Sequence, residues 1–154
     1  MMPVEITKDE ILAVSPKVAQ TMADALGCDV EQVALNVPLI EGLDAESIDF
    51  LDIVFRLERA FKVKITRGKI VEDARGDLPE AEFERQGYLT EVGLQRLREY
   101  LSEVPADRFR SPMKVADIPR LYTPETFCKV VVRALGAHQV EHSSALGAER
   151  VPGS

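Results

Sequence analysis

Residues 42–52, GLDAESIDFLD, place four carboxylates around one serine, Ser47, and lead directly into an apolar stretch. Serine is favoured at a helix N-terminus, where its hydroxyl accepts a hydrogen bond from an unpaired backbone amide. From residue 47 to residue 61 the chain is apolar around most of a helical circumference and keeps one polar stripe. The pattern therefore predicts a helix that begins at Ser47 and is either central or meets a second partner in addition to the core. The serine either caps this helix or carries a functional group.

The composition sets the class of protein and disfavours some partners. The 154-residue chain is 45% hydrophobic, which is enough apolar material for a packed core. Its formal net charge of -7 argues against nucleic acid and anionic membrane surfaces as partners and favours proteins with basic patches. The N-terminus lacks the pattern of a signal peptide, and no apolar run approaches membrane-spanning length. We expect a soluble, cytoplasmic monomer without stable membrane insertion.

Local signals predict a helix before the central one. Thr7 and Glu10 have the spacing of a capping box and open a helix that ends at Gly27. Pro16 interrupts the pattern, so we expect either one kinked helix or a short helix followed by a longer one. Residues 28–46 lack periodicity but carry apolar side chains, which predicts an ordered loop that lies on the core.

Residues 67–112 are strongly charged and predict further helices. Asp77 and Glu80 have the spacing of a capping box for a short helix that ends at Gly87, and Thr90 opens a second helix. The apolar side chains of the second helix recur at helical spacing: Leu94, Leu97, Leu101 and Val104.

The last predicted helix opens at Thr123 and Pro124 and ends at Gly136. The tail, residues 137–154, has the composition of a disordered segment. KVKI, residues 62–65, is the one ambiguous strand, and we predict no other strand.

Residues 16–66 resemble an acyl carrier protein. The similarity rests on a helix that ends in ALG, a loop that contains EQVALNVPLIE, the segment LDAES and the helix SIDFLDIVFRLERAFKVKI. The spacing from Gly27 to Ser47 matches the family's first loop without a gap. Further along, ADIPRLYTPETFCKVVVRAL resembles the family's last two helices.

The resemblance implies an all-α fold, a four-helix bundle formed by residues 1–66 and 113–136. Residues 67–112 are then a helical insertion between the second and the last helices. We expect this insertion to be separable, so that a chain lacking residues 70–110 still folds.

The resemblance also implies a function for Ser47. It corresponds to the serine that carries covalent 4'-phosphopantetheine, on which acyl intermediates are held as thioesters in fatty acid or related lipid or polyketide biosynthesis. The implied partners are a phosphopantetheinyl transferase and acyl-synthesising or acyl-transferring enzymes with basic patches. The predicted partner-docking residues are Glu41, Asp44, Glu46, Asp49, Asp52 and Arg56. The predicted lining of an acyl-chain shelter is Leu51, Val54, Phe55 and Ile65.

The chain departs from the family pattern at two positions before Ser47. Glu46 replaces an aspartate and keeps its charge. Asp44 replaces a glycine three residues before the serine, and aspartate tolerates left-handed backbone better than most residues. Recognition by the transferase depends on these two positions.

Other functions find less support in the residues. An enzyme that uses Ser47 as nucleophile needs a base, and no histidine precedes His138. A calcium loop from Asp44 fails because Asp49 and Phe55 occupy the positions of its glycine and its final acid. The two cysteines form no CxxC pair, so no metal site is predicted. The remaining alternatives are an unmodified carrier-like interaction module and a helical adaptor.

Overall fold

A computed structural model gives the structure of the protein and describes residues 6–66 and 68–136. The described chain is helical apart from one short hairpin, which confirms the predicted all-α class. Its α-helices are α1 (Lys8–Leu26), α2 (Leu39–Leu43), α3 (Ser47–Phe61), α4 (Lys69–Arg75), α5 (Glu80–Phe83), α6 (Glu91–Tyr100) and α7 (124–136). Three 3₁₀ segments lie at Val30–Gln32, Ala106–Arg108 and Val115–Leu121. The antiparallel hairpin pairs β1 (Glu84–Arg85) with β2 (Tyr88–Leu89).

Helix α1 begins and ends where its local signals predict. The Glu10 amide donates to the Thr7 hydroxyl at 3.2 Å, and the Thr7 amide donates to the Glu10 carboxylate at 2.9 Å. Gly27 ends the helix with a φ of 69°. Pro16 does not divide the helix, although it cannot donate a backbone hydrogen bond to the residue 12 carbonyl. The Ser15 hydroxyl donates to that carbonyl instead, at 3.2 Å, so the acceptor stays satisfied.

Helix α3 packs along α1. Val18 and Met22 of α1 and Ile53 and Leu57 of α3 are fully buried. The sequence left two possibilities for α3, a central helix or a helix that meets a second partner in addition to the core, and the exposed apolar side chains on its outer face favour the second. Phe50 of α3 faces the C-terminal part of the chain.

Three aromatic rings connect α3 to the end of the chain. Phe50 meets Tyr122 edge to face at 5.8 Å and stacks on Phe127 of α7 at 6.0 Å, and Tyr122 meets Phe127 edge to face at 5.8 Å. Offset and edge-to-face aromatic pairs add to the stabilisation from burial. The cluster therefore fixes the 3₁₀ segment Val115–Leu121, which Tyr122 follows, against the first turn of α3.

The start of the insertion differs from its prediction. Helix α5 is capped by Pro79 rather than Asp77 and ends at Phe83 instead of Gly87. Gln86 and Gly87 form the tip of the hairpin, both with positive φ, which is typical of a two-residue hairpin turn. Residues 62–65 form no strand. The predicted cap of the next helix is confirmed, since the Gly93 amide donates to the Thr90 hydroxyl at 2.9 Å.

The insertion shares its core with the bundle. One continuous apolar core contains residues of α1, α3 and α7 together with buried side chains of the insertion: Ile70, Ala74, Phe83, Leu89, Leu97, Leu101, Val104 and Phe109. A buried ion pair adds a second connection. Lys129 of α7 lies 2.7 Å from Glu103, whose side chain is 1% exposed, and the Thr126 hydroxyl donates to the same carboxylate at 2.6 Å. The expectation of a separable insertion therefore loses its support.

The C-terminal helix begins as predicted at residue 124. The Thr126 amide donates to the Thr123 hydroxyl at 3.3 Å, and the Thr123 amide donates to the Thr126 hydroxyl at 3.1 Å. The predicted disordered tail, residues 137–154, lies outside the described residues. Within the described part of the chain, no helix is both long and apolar enough to cross a membrane.

Candidate functional site

Ser47 is the first residue of α3, and its side chain is exposed. The preceding residue, Glu46, is the N-cap, and its amide donates to the Asp49 carboxylate at 2.7 Å. The alternative that Ser47 only caps the helix is not supported, because the N-cap lies one residue earlier. Within residues 6–66 and 68–136, the Ser47 hydroxyl has no hydrogen-bond partner. It is an accessible hydroxyl beside the free amides and positive dipole end of a 15-residue helix.

Asp44, three residues before Ser47, has a left-handed backbone conformation and determines how the chain turns from α2 into α3. Asp44 ends α2 with φ 57° and ψ 31°, and its amide donates to the Leu39 carbonyl. The next residue, Ala45, is buried and donates to the same carbonyl at 3.0 Å. Aspartate thus adopts the conformation that the family's glycine would favour, and the departure at this position does not disrupt the turn before α3.

A pocket of about 460 Å³ opens beside Ser47. Its lining combines the end of the α2–α3 connection with the 3₁₀ segment Val115–Leu121: Ile40, Ala45, Glu46, Ser47, Ile48, Ala116, Asp117, Pro119 and Arg120. The volume falls in the range of small-molecule sites. An exposed hydroxyl at a helix N-terminus and an adjoining pocket fit a phosphodiester-linked chain, because the helix end tolerates phosphate and the pocket offers room for the linker.

The basic residues around this pocket were not predicted from the sequence. Arg120 lines the pocket. Arg108 of the insertion lies 2.6 Å from the carboxylate of Glu41, the residue after the lining residue Ile40. Arg108 also donates to the backbone carbonyl of Arg120 at 2.6 Å. These contacts join residues more than ten positions apart along the chain, so no periodicity or motif could have predicted them.

The acidic residues predicted for docking lie along α2, the α2–α3 connection and α3, and several have partners within the chain. Glu41 is paired with Arg108, and the Asp49 carboxylate accepts the Glu46 amide. Asp52 lies 3.0 Å from Arg56 in a half-exposed pair, which contributes little to stability. The surface around Ser47 is therefore acidic, but its charge is partly balanced.

An apolar stripe runs along the outer face of α3. Ile48, Leu51 and Phe55 recur at i, i+3 and i+7, and their exposed fractions are 70%, 37% and 60%. The sequence predicted an interior role for Leu51 and Phe55 as lining of an acyl-chain shelter, and in this structure both face outward. Large apolar side chains exposed in a row are typical of an interaction surface.

The two other predicted lining residues are less accessible. Val54 is half-buried and packs against the core, and Ile65 is 8% exposed. The pocket beside Ser47 is lined by none of the four predicted residues. A shelter near Val54 and Ile65 therefore stays a prediction, which needs movement of α3 away from its neighbours.

The other reactive side chains lie away from Ser47. Burial raises the pKa of the Cys128 thiol to about 12, so this thiol reacts slowly at neutral pH. Cys28, just after α1, is half-buried. No group of three or more histidine, cysteine or acidic side chains in the described residues is arranged to hold a metal ion.

Comparison with known proteins gives a consistent assignment. Residues 16–75 match the family model described as a phosphopantetheine attachment site. The acyl carrier protein AcpXL of Mesorhizobium japonicum is 37% identical over 49 residues, which are 32% of this chain and 53% of the relative. The chain thus spans about half the length of that relative. No solved structure matches the chain significantly.

Two further relatives are covered over more of their length. The acyl carrier protein of Bdellovibrio bacteriovorus is 32% identical over 54 residues, which are 35% of this chain and 69% of the relative. The AcpXL protein of Brucella melitensis is 32% identical over 68 residues, which are 44% of this chain and 73% of the relative. Because these matches cover most of a small carrier and the fold is the predicted helical bundle, the chain belongs to the acyl carrier protein family.

Proposed function

We propose that Ser47 carries 4'-phosphopantetheine and that the protein holds acyl intermediates as thioesters on that group. The observation that carries the proposal is the exposed hydroxyl of Ser47 at the first position of α3, inside the segment that matches a phosphopantetheine attachment site. The adjoining pocket supports it, because a linker attached at Ser47 has room beside the helix. The group would supply a thiol for acyl transfer.

The chain itself positions Ser47 and provides its electrostatic environment, while catalysis comes from the partner enzymes. Ser47 has no hydrogen bond to a base in the described residues, so its hydroxyl needs a transferase to take its proton as it attacks the pantetheine-bearing phosphorus of coenzyme A. The pyrophosphate bond breaks and adenosine 3',5'-bisphosphate leaves. The amides of the first turn of α3 and the helix dipole stabilise the negative charge of the phosphodiester that results. We therefore infer that the protein is a carrier, modified and acylated by partner enzymes.

The outer face of α3 supports a docking function for these partners. Ile48, Leu51 and Phe55 offer apolar contact area, and the acidic residues from Glu41 to Asp52 flank it. A partner with a basic patch around an apolar depression matches this arrangement, and charge steering favours fast, weak encounters. Such partners are a phosphopantetheinyl transferase and the enzymes of fatty acid or related lipid or polyketide synthesis, acting in the cytoplasm.

The test is modification of the full chain by a promiscuous phosphopantetheinyl transferase with coenzyme A, followed by mass spectrometry of the intact protein. We expect one phosphopantetheine per chain in the wild type and none in Ser47→Ala. Ser111→Ala is the matched control, because Ser111 is also exposed and lies outside the site.

Two outcomes would contradict the proposal. A mass gain that survives Ser47→Ala would place the attachment elsewhere. A wild-type chain that gains no mass would instead favour the unmodified interaction module, with α3 as its binding surface.

A further inference from the structure

The pocket beside Ser47 is also lined by a residue with a guanidinium group, Arg120. Pro119 and Arg120 of the 3₁₀ segment line the same 460 Å³ pocket as Ser47 and Ile48. Two carboxylate residues, Glu46 and Asp117, also line it. Arg120 is therefore the cation among the described lining residues, in a pocket where an added anion would otherwise be repelled.

The ion pairs of Arg120 are long. Its guanidinium lies 3.6 Å from Asp117 and 3.9 Å from Glu41, both beyond hydrogen-bond distance, and the side chain is 56% exposed. Within the described residues, the guanidinium donates no hydrogen bond. A guanidinium has five N–H donors in a planar fork that suits phosphate oxygens. Arg120 thus retains donors for an anion in the pocket.

The stronger partner of Glu41 comes from the insertion. Arg108 lies 2.6 Å from one Glu41 oxygen and donates to the Arg120 carbonyl at 2.6 Å. One side chain thereby joins α2 to the 3₁₀ segment and occupies the carboxylate that would otherwise attract Arg120 more closely. The insertion therefore fixes the backbone of Arg120 and lowers the competition for its guanidinium.

We propose that Arg120 binds the phosphodiester attached at Ser47 and that Arg108 is the residue that positions Arg120 for this contact. The proposal rests on the proposed function, since it needs the group on Ser47. It gives the insertion a positioning role at the site through Arg108, while the phosphodiester meets the amides of α3 on one side and Arg120 on the other. The insertion then completes the site rather than only extending the fold.

The experiment compares the melting temperatures of the unmodified and modified forms of each variant, after mass spectrometry confirms the modification. We expect the modified wild type to melt about 2 °C above the unmodified chain, because an exposed charged contact adds a small stabilisation. Arg120→Gln should lose this difference. Arg110→Gln, which removes the same charge from an exposed position of the insertion, should keep it. The ³¹P resonance of the phosphodiester should move in Arg120→Gln and stay in place in Arg110→Gln.

Comparing two forms of one variant removes any effect of the substitution on folding alone. Arg108→Gln should reduce the difference between the forms, and an unchanged difference there would overturn its positioning role. A modified Arg120→Gln chain that keeps the wild-type difference and the wild-type ³¹P resonance would overturn the contact but leave the proposed function intact. A wild-type chain that gains no mass would overturn both.

Discussion

Helix α3 and the insertion use large apolar side chains in opposite ways. Phe55 of α3 is 60% exposed, whereas Phe83 of the insertion is 1% exposed. The segment that looks most like an interior helix by sequence thus presents an apolar stripe to solvent, and the charged segment that looks peripheral supplies side chains to the core. Helix α3 leaves one apolar face uncovered, as the proposed docking function requires, while the insertion adds apolar side chains to the shared core.

The largest expected effect is that of deleting residues 70–110. The deletion removes buried apolar side chains from the shared core and leaves Lys129, whose side chain is 12% exposed, without Glu103. Unpaired buried charges and lost core contacts both destabilise strongly. We expect the deletion variant to lose its cooperative unfolding transition, measured by circular dichroism in urea. A sharp transition close to that of the full chain would restore the expectation of a separable insertion.

Truncating one phenylalanine in each region, Phe83 and Phe55, tests the difference in burial between the insertion and α3. We expect Phe83→Ala to lower the free energy of unfolding by about 3–5 kcal/mol, because it leaves a cavity in the core. Phe55→Ala should change it by about 0.5 kcal/mol or less, because the ring is mostly exposed. Urea denaturation of the unmodified chains measures both values.

The same two variants should distinguish an effect on folding from an effect on docking to the transferase. Phe55→Ala should slow modification by the transferase, and Phe83→Ala should leave the rate unchanged under conditions in which it is folded. Equal losses of stability in the two variants would show that the outer face of α3 contributes to the core after all.

The helix starts could be predicted from the sequence because their causes are local. Each of these starts has a threonine hydroxyl that accepts a hydrogen bond from the amide three residues later, at Thr7, Thr90 and Thr123. A spacing of three residues in the sequence is therefore enough to predict the helix start. The hairpin was missed because the acidic spacing around Glu80 imitates a helix cap. Gln86 and Gly87 gave the true signal, two residues able to adopt positive φ.

The candidate site around Ser47 could be predicted in part. Ser47 and its acidic neighbours lie in one short segment, which the family pattern covers. The pocket wall could not be predicted, since Arg108 and Arg120 reach Glu41 from distant parts of the chain. Periodicity identified the apolar positions of α3 correctly, but it does not tell which of them another helix covers.

The smallest expected effect concerns two left-handed residues, one chosen from each of the two regions. Asp44 before α3 has a φ of 57°, and Gln86 at the hairpin tip has a φ of 54°. Glycine relieves the steric cost of this conformation, about 1 kcal/mol for most residues, but loses part of the gain because it makes the unfolded chain more flexible. We expect Asp44→Gly and Gln86→Gly each to raise the free energy of unfolding by up to about 1 kcal/mol in urea denaturation.

The two glycine variants should differ in modification by the transferase. Asp44→Gly restores the glycine of the family pattern three residues before Ser47, so it should keep or raise the rate of phosphopantetheine transfer, whereas Gln86→Gly should leave that rate unchanged. A loss of stability in Asp44→Gly alone would mean that the aspartate side chain supports the turn before α3. In that case the departure from the family pattern is itself part of how this chain positions its serine, and the acidic surface near Ser47 contributes to folding as well as to docking.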